Sequence, residues 1–210
     1  MALTSKQEKV LKFISDYREK RGISPTIIEL QMGLWFKSIH SVTQFLNALE
    51  KKWYVHRWWW FRSLTLTNNV GFQLTFDIPI VWIANASNPV VYAEENRIWT
   101  VAVSQSIIKW NKNKYFFIKI EWTSMNQCKV NWKLILDWSM ALINWQDRTI
   151  NEQDVFLCVV NGFATIKKIR QEGDNVYLLP QSSDSTHGPI ILNKDDNIFI
   201  NGRVIDIFNI

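Results

Sequence analysis

Cysteine and histidine are sparse in this sequence, and the few present stand apart. Cys128 and Cys158, with His40, His56 and His187, show no metal-ligand spacing, which points to reduced thiols and to no metal and no cofactor. Long apolar runs are missing too, and none approaches the ~20 residues of a membrane span. The N-terminus opens at once on a polar helical pattern, so no signal peptide is expected and the cytoplasm is the expected location. Glycine is short: the chain has seven, where average usage would give about 15. Tryptophan, by contrast, numbers twelve. With 47% apolar residues, the 210-residue chain can build one large domain or two small ones.

Charge is unevenly placed. Residues 1–70 hold 11 Lys and Arg against 5 Asp and Glu, while residues 71–210 hold 13 against 14. A small basic domain joined to a near-neutral larger one is the footprint of a nucleic-acid binder with a second activity attached.

The first 70 residues carry helix signals. Thr4 and Gln7 make a capping box, ahead of Val10, Leu11, Phe13, Ile14 and Tyr17 at helical spacing, with Gly22 as the stop. Thr26 and Glu29 make a second box, opening a short helix that ends near Met32-Gly33. Ser38 caps a third helix, with Val42, Phe45, Leu46 and Leu49 on its apolar face. Two β-like runs, Tyr54-Val55 and Leu64-Thr65-Leu66, then flank residues 56–62. Three short helices and a hairpin predict a winged helix-turn-helix over residues 1–68, whose third helix enters the major groove of DNA. Its outward residues, Ser38, His40, Ser41, Thr43 and Gln44, suit base edges or phosphates. Lys37, Lys51, Lys52, Arg57 and Arg62 are cast as phosphate contacts. A three-helix module that binds protein is the alternative, which the charge balance and the wing disfavour.

Thr67-Asn68-Asn69 is a polar break, and the second domain is placed at residues 69–210. It has several β-type runs, among them Val155–Val160, Val176–Leu179 and Ile198–Ile200, so it is expected to be mostly β. Three of its segments stand in a telling order: Ile78 to Pro89, then Glu121-Trp122-Thr123-Ser124-Met125, then Ala164-Thr165-Ile166-Lys167. Together they resemble the catalytic half of LexA-type repressors, and the likeness runs from Leu3 to about Ile207. The resemblance implies a winged helix-turn-helix followed by a mostly-β, LexA-like peptidase domain that cuts its own chain. It also implies a homodimer formed through the C-terminal domain, double-stranded operator DNA as a partner, and a RecA-type filament as the trigger. It assigns base-edge contacts to the outward face of the third helix.

In the resemblance, the scissile bond aligns with Ala86-Ser87, where the family has Ala (or Cys) followed by Gly. Ser124 is the nucleophile and Lys167 the base, a Ser-Lys variant of the hydrolase constellation. A lysine accepts a proton only when neutral, so burial must lower its pKa. Phe163, Ala164, Ile166 and Ile169 supply apolar surroundings on a strand that puts Thr165 and Lys167 on one face and Lys168 on the other. The backbone N–H groups of Thr123 and Ser124 are the candidate oxyanion donors. Two alternatives are a repressor with a dead peptidase domain that only dimerises, and a Ser-Lys peptidase acting on other proteins.

The likeness also locates the missing glycines. Trp35, Trp53, Trp58 to Trp60, Trp82, Trp122, Trp132 and Trp138 fall where the family typically has Gly, whereas Trp99, Trp110 and Trp145 have no such match. An indole at a position that needs positive φ is strained. Either the cell reads a UGA codon as glycine at these positions, or the chain is truly rich in tryptophan and its indoles have structural roles.

Overall fold

The computed structural model describes residues 3–57, 62–67, 75–81, 99–108, 111–193 and 196–209. The chain forms two compact units, one of residues 1–78 with 99–112 and one of residues 79–98 with 113–210. No helix among the described residues is long and apolar enough to cross a membrane. None of their His, Cys, Asp and Glu residues gather into a group able to hold a metal ion.

The first unit contains α1 (Ser5–Arg21), α2 (Ile27–Gly33) and α3 (Ile39–Lys51). Both expected capping boxes form, Thr4 with Gln7 and Thr26 with Glu29, and Ser38 Oγ accepts from Ser41 N–H at the start of α3. These bonds satisfy amide groups that a helix start otherwise leaves without partners. The apolar stripes meet in one core of Val10, Leu11, Ile14, Leu30, Val42, Leu46 and Leu49, closed by Val55 and Leu64. The wing strands are short, β1 (Val55–His56) pairing antiparallel with β2 (Thr65–Leu66).

The expected boundary at residues 68 and 69 lies outside the described residues. The first unit extends past it, because β3 (Thr75–Val81) begins there and β4 (Thr100–Ser104) returns to it. β4 lies beside β3 and is tied to the helical core by backbone bonds. Ser24 N–H donates to Ala102 O at 3.3 Å, Ala102 N–H to Arg62 O at 3.3 Å, and Ser104 N–H to Gly22 O at 2.8 Å. Ile23 and Val103 form an antiparallel bridge between the same segments.

The second unit is built on one sheet. Its remaining strands are β5 (Tyr115–Lys119), β6 (Lys129–Val130), β7 (Lys133–Leu134), β8 (Met140–Asn144), β9 (Val155–Val160), β10 (Phe163–Glu172), β11 (Asn175–Leu179), β12 (Ile190–Leu192) and β13 (Ile198–Phe208). Neighbours run β12-β11-β10-β9-β13-β8-β5-β3, and β6 with β7 form a separate hairpin. The pairing of β3 with β5 is parallel, and the other recorded pairs are antiparallel. β9, Val-Phe-Leu-Cys-Val-Val, is apolar on both faces because it is covered on both. One face joins the core of Phe116, Ile118, Leu157 and Ile166, and the other packs Phe156 and Cys158 with Ile169 and Leu178.

Seven described residues other than glycine have positive φ, and four are tryptophans: Trp35, Trp53, Trp132 and Trp138. Trp122, expected in the same class, is not among them. Trp58 to Trp60, Trp82 and Trp110 lie outside the described residues.

Candidate functional site

β10 carries Lys167 and the turn after β5 carries Ser124, and the fold brings them together. Lys167 Nζ lies 2.6 Å from Ser124 Oγ, and each residue is 5% exposed. Nζ also lies 2.9 Å from Thr165 Oγ1 and donates to the carbonyl of Ile166 at 3.0 Å. Strand alternation puts Thr165 and Lys167 on one face, in register with Cys158 and Phe156 of β9. That setting is apolar, and loss of hydration lowers the Lys167 pKa from 10.5 to about 8. The same burial pushes the Cys158 thiol up to about 12, which keeps it neutral beside the amine. The pair is thus a weakly basic amine against a hydroxyl, at hydrogen-bond distance and screened from water.

The loop bearing Ser124 is braced by a segment that the sequence did not single out. Gln181 N–H donates to Ser124 O at 3.0 Å and Gln127 N–H donates to Gln181 O at 2.9 Å. Ser182 Oγ donates to Thr123 O at 3.0 Å, and Asn126 exchanges side-chain bonds with Ser183. Thr123 Oγ1 lies 3.1 Å from His187 Nε2. Together these contacts hold the backbone on either side of the hydroxyl. Trp122 falls where the family typically has Gly, which led one to expect a positive φ there. Its backbone is instead ordinary, and its ring packs against the hydrophobic core with Nε1 buried and lacking a partner.

In the first unit, Lys37 and Ser38 just before α3 and His40 and Gln44 on it are exposed to solvent, with Ser41 and Thr43 half-buried. His40 Nε2 and Gln44 Nε2 lie 3.0 Å apart, one turn from each other. Thr43 Oγ1 donates to Ile39 O, and Ser38 is occupied as the helix cap. Arg57 pairs with Glu50 at 3.3 Å and reaches Asn47, so it stands beside the same face. Lys52 is half-buried and donates to Gln7 Oε1 at 2.8 Å.

Comparison with known proteins accounts for both units. Residues 1–58 match the LexA DNA binding domain and residues 79–205 match the Peptidase S24-like family. The chain belongs to the LexA repressor family. It is 30% identical to a LexA repressor of Syntrophobacter fumaroxidans over 87% of this chain and 84% of that one. It is 28% identical to LexA repressor 2 of Geobacter sulfurreducens over 98% of this chain and 97% of the relative. A LexA repressor of Pseudothermotoga lettingae is 29% identical over 99% and 97%.

The LexA-type architecture of a winged, helical DNA-binding region and a mostly-β peptidase domain is therefore as the sequence led one to expect. One side chain is differently used. Arg62, cast as a phosphate contact, is 6% exposed, pairs with Glu29 at 3.0 Å and donates to Ser24 O at 2.8 Å. Its guanidinium is a strut inside the first unit, unable to reach a duplex without breaking that pair. Burial works to raise the Glu29 carboxyl, but hydrogen bonds from Thr26 N–H, Tyr17 Oη and the Arg62 guanidinium, with the charge of Arg62, hold it down to about 2. Asn47 was passed over, although residues 40, 44 and 47 recur at helical spacing on the exposed face of α3. Ala86 and Ser87 lie outside the described residues.

Proposed function

We propose that this LexA family member is a DNA-binding transcriptional repressor that removes itself by cutting its own chain between Ala86 and Ser87. The observation that carries the reading is the buried 2.6 Å approach of Lys167 Nζ to Ser124 Oγ. Neutral Lys167 takes the hydroxyl proton as Oγ attacks the Ala86 carbonyl carbon. The oxyanion is received by the N–H groups of Thr123 and Ser124. The tetrahedral centre collapses, the C–N bond breaks, and Lys167 returns the proton to the amine of Ser87. Water, deprotonated by the same lysine, then hydrolyses the ester and frees Ser124. A catalytically dead dimerisation module needs neither the contact nor the lowered lysine pKa.

In this reading α3 lies in the major groove. His40, Gln44, Ser41 and Thr43 face base edges, and Lys37, Ser38, Lys52 and Arg57 sit nearer phosphate. A homodimer through the peptidase domain places two such helices on a palindromic operator, as two-fold symmetry requires. A RecA-type filament is the expected trigger in the cell. Residues 1–68 form the DNA-binding part, and 69–210 the linker, cleavage segment and peptidase.

Purified protein incubated at alkaline pH should yield fragments of 86 and 124 residues, with first-order kinetics independent of protein concentration. Ser124→Ala and Lys167→Ala should each stay intact. Cutting that persists in Ser124→Ala would mean another nucleophile.

A further inference from the structure

Four tryptophans occupy backbone positions built for glycine. Trp35, Trp53, Trp132 and Trp138 have φ of 57°, 61°, 67° and 68°. No phenylalanine or tyrosine among the described residues has positive φ. A left-handed backbone is strained for a residue with a Cβ, and an indole gains little that offsets the strain unless it packs. Trp35, Trp53 and Trp132 stand out in solvent, 91%, 74% and 93% exposed, and Trp138, 59% exposed, carries the Lys119 ammonium over its ring at 3.8 Å but is buried in no core.

The local hydrogen bonds identify each turn. After α2, Trp35 N–H donates to Met32 O and Phe36 N–H to Gln31 O. After α3, Trp53 N–H donates to Glu50 O and Tyr54 N–H to Leu49 O. Both are Schellman stops, whose left-handed residue is usually Gly. Asn131 and Trp132 are the two turn residues of the hairpin joining β6 to β7, both with positive φ. That is a type I′ turn, for which Asn-Gly is the favoured pair. Trp138 follows Asp137 in a turn closed by Ser139 N–H to Leu136 O, at the place a type II turn reserves for Gly.

We infer that the protein made in its own cell carries glycine at 35, 53, 132 and 138, through a UGA codon read there as glycine. UGA differs by one base from both the tryptophan codon UGG and the glycine codon GGA. The inference stands on backbone angles and turn type, and is independent of how Ser124 and Lys167 react. It does not extend to Trp145, whose φ is ordinary and whose Nε1 donates to Asn113 O at 2.8 Å.

Two measurements test it. Peptide masses from the protein isolated from its own cells should show glycine at all four positions, with UGA in the gene. Tryptophan at any of the four, or UGG there, overturns the inference. Recombinant full-length chain with Gly at all four should melt higher than the chain with Trp, by about 10 °C or more, while Trp145→Gly should melt lower. A four-glycine chain that melts no higher than its parent also overturns it.

Discussion

In the proposed reaction, the lowered pKa of Lys167 makes self-cleavage a titration with a predictable midpoint. With a pKa of about 8, roughly one molecule in ten holds a neutral lysine at pH 7. An ordinary lysine at 10.5 would leave about one in 3,000 neutral, so burial raises the reactive population about 300-fold. The first-order rate constant should therefore climb about tenfold per pH unit below the midpoint and level off above about pH 8. Stability carries the same signature with its own sign. The folded state holds its proton less tightly than the unfolded chain, so the unfolded state binds more protons between about pH 8 and 10.5. The penalty of burying the charge, on the order of 3 kcal/mol, is fully present below about pH 8 and fades as pH rises to 10.5. Lys167→Met should then be more stable than the parent at neutral pH, with an advantage that vanishes towards pH 10.5. Gel densitometry from pH 6 to 10 reads the rate, and urea melts of Ser124→Ala with and without Lys167→Met read the stability. A flat rate profile, a midpoint near 10.5, or a stability gain unchanged by pH would each refute the argument.

Other perturbations reach other parts of the molecule. His40→Ala or Gln44→Ala should alter which operator is preferred, while Lys37→Ala should weaken all DNA alike and flatten the salt dependence, as mobility shifts across a salt series would read. Arg62→Ala should cost about 1–3 kcal/mol of stability, because it removes the ion pair with Glu29 and the bond to Ser24 O while Glu29 keeps its bonds from Thr26 N–H and Tyr17 Oη, and chemical denaturation of Ser124→Ala carrying it will check this. Trp122→Phe keeps a ring in the core but deletes a buried N–H that has no acceptor, so thermal melts should show a gain of about 1 kcal/mol.

Much of this molecule could be read from the order of its residues, because the signals are local. Thr4 with Gln7 and Thr26 with Glu29 lie three residues apart, so the helix starts needed no knowledge of the fold. The apolar run of β9 and the alternation around Lys167 are equally short-range. Long-range pairing was invisible. Arg62 looked like a wing cation because its partner Glu29 is 33 residues earlier in the chain. The bracing of Ser124 by Gln181 is a backbone-to-backbone bond that involves neither side chain, so no motif announces it. Trp122 misled in the opposite direction: its place in a family pattern suggested a glycine geometry that its own backbone does not have.

β4 means that breaking this chain and letting go of it are separate events. Ala102 and Ser104 come after residues 82–98 in sequence, yet they bond to Gly22, Ser24 and Arg62, which come before. A nick anywhere in that stretch divides the polymer, yet within the first unit β4 stays bonded to the segments that precede it. Scission then runs on a chemical clock and release on a mechanical one, set by how fast β4 peels from its seat. A gel that denatures the sample reads only the first clock. Any response that needs the two pieces apart keeps time by the second.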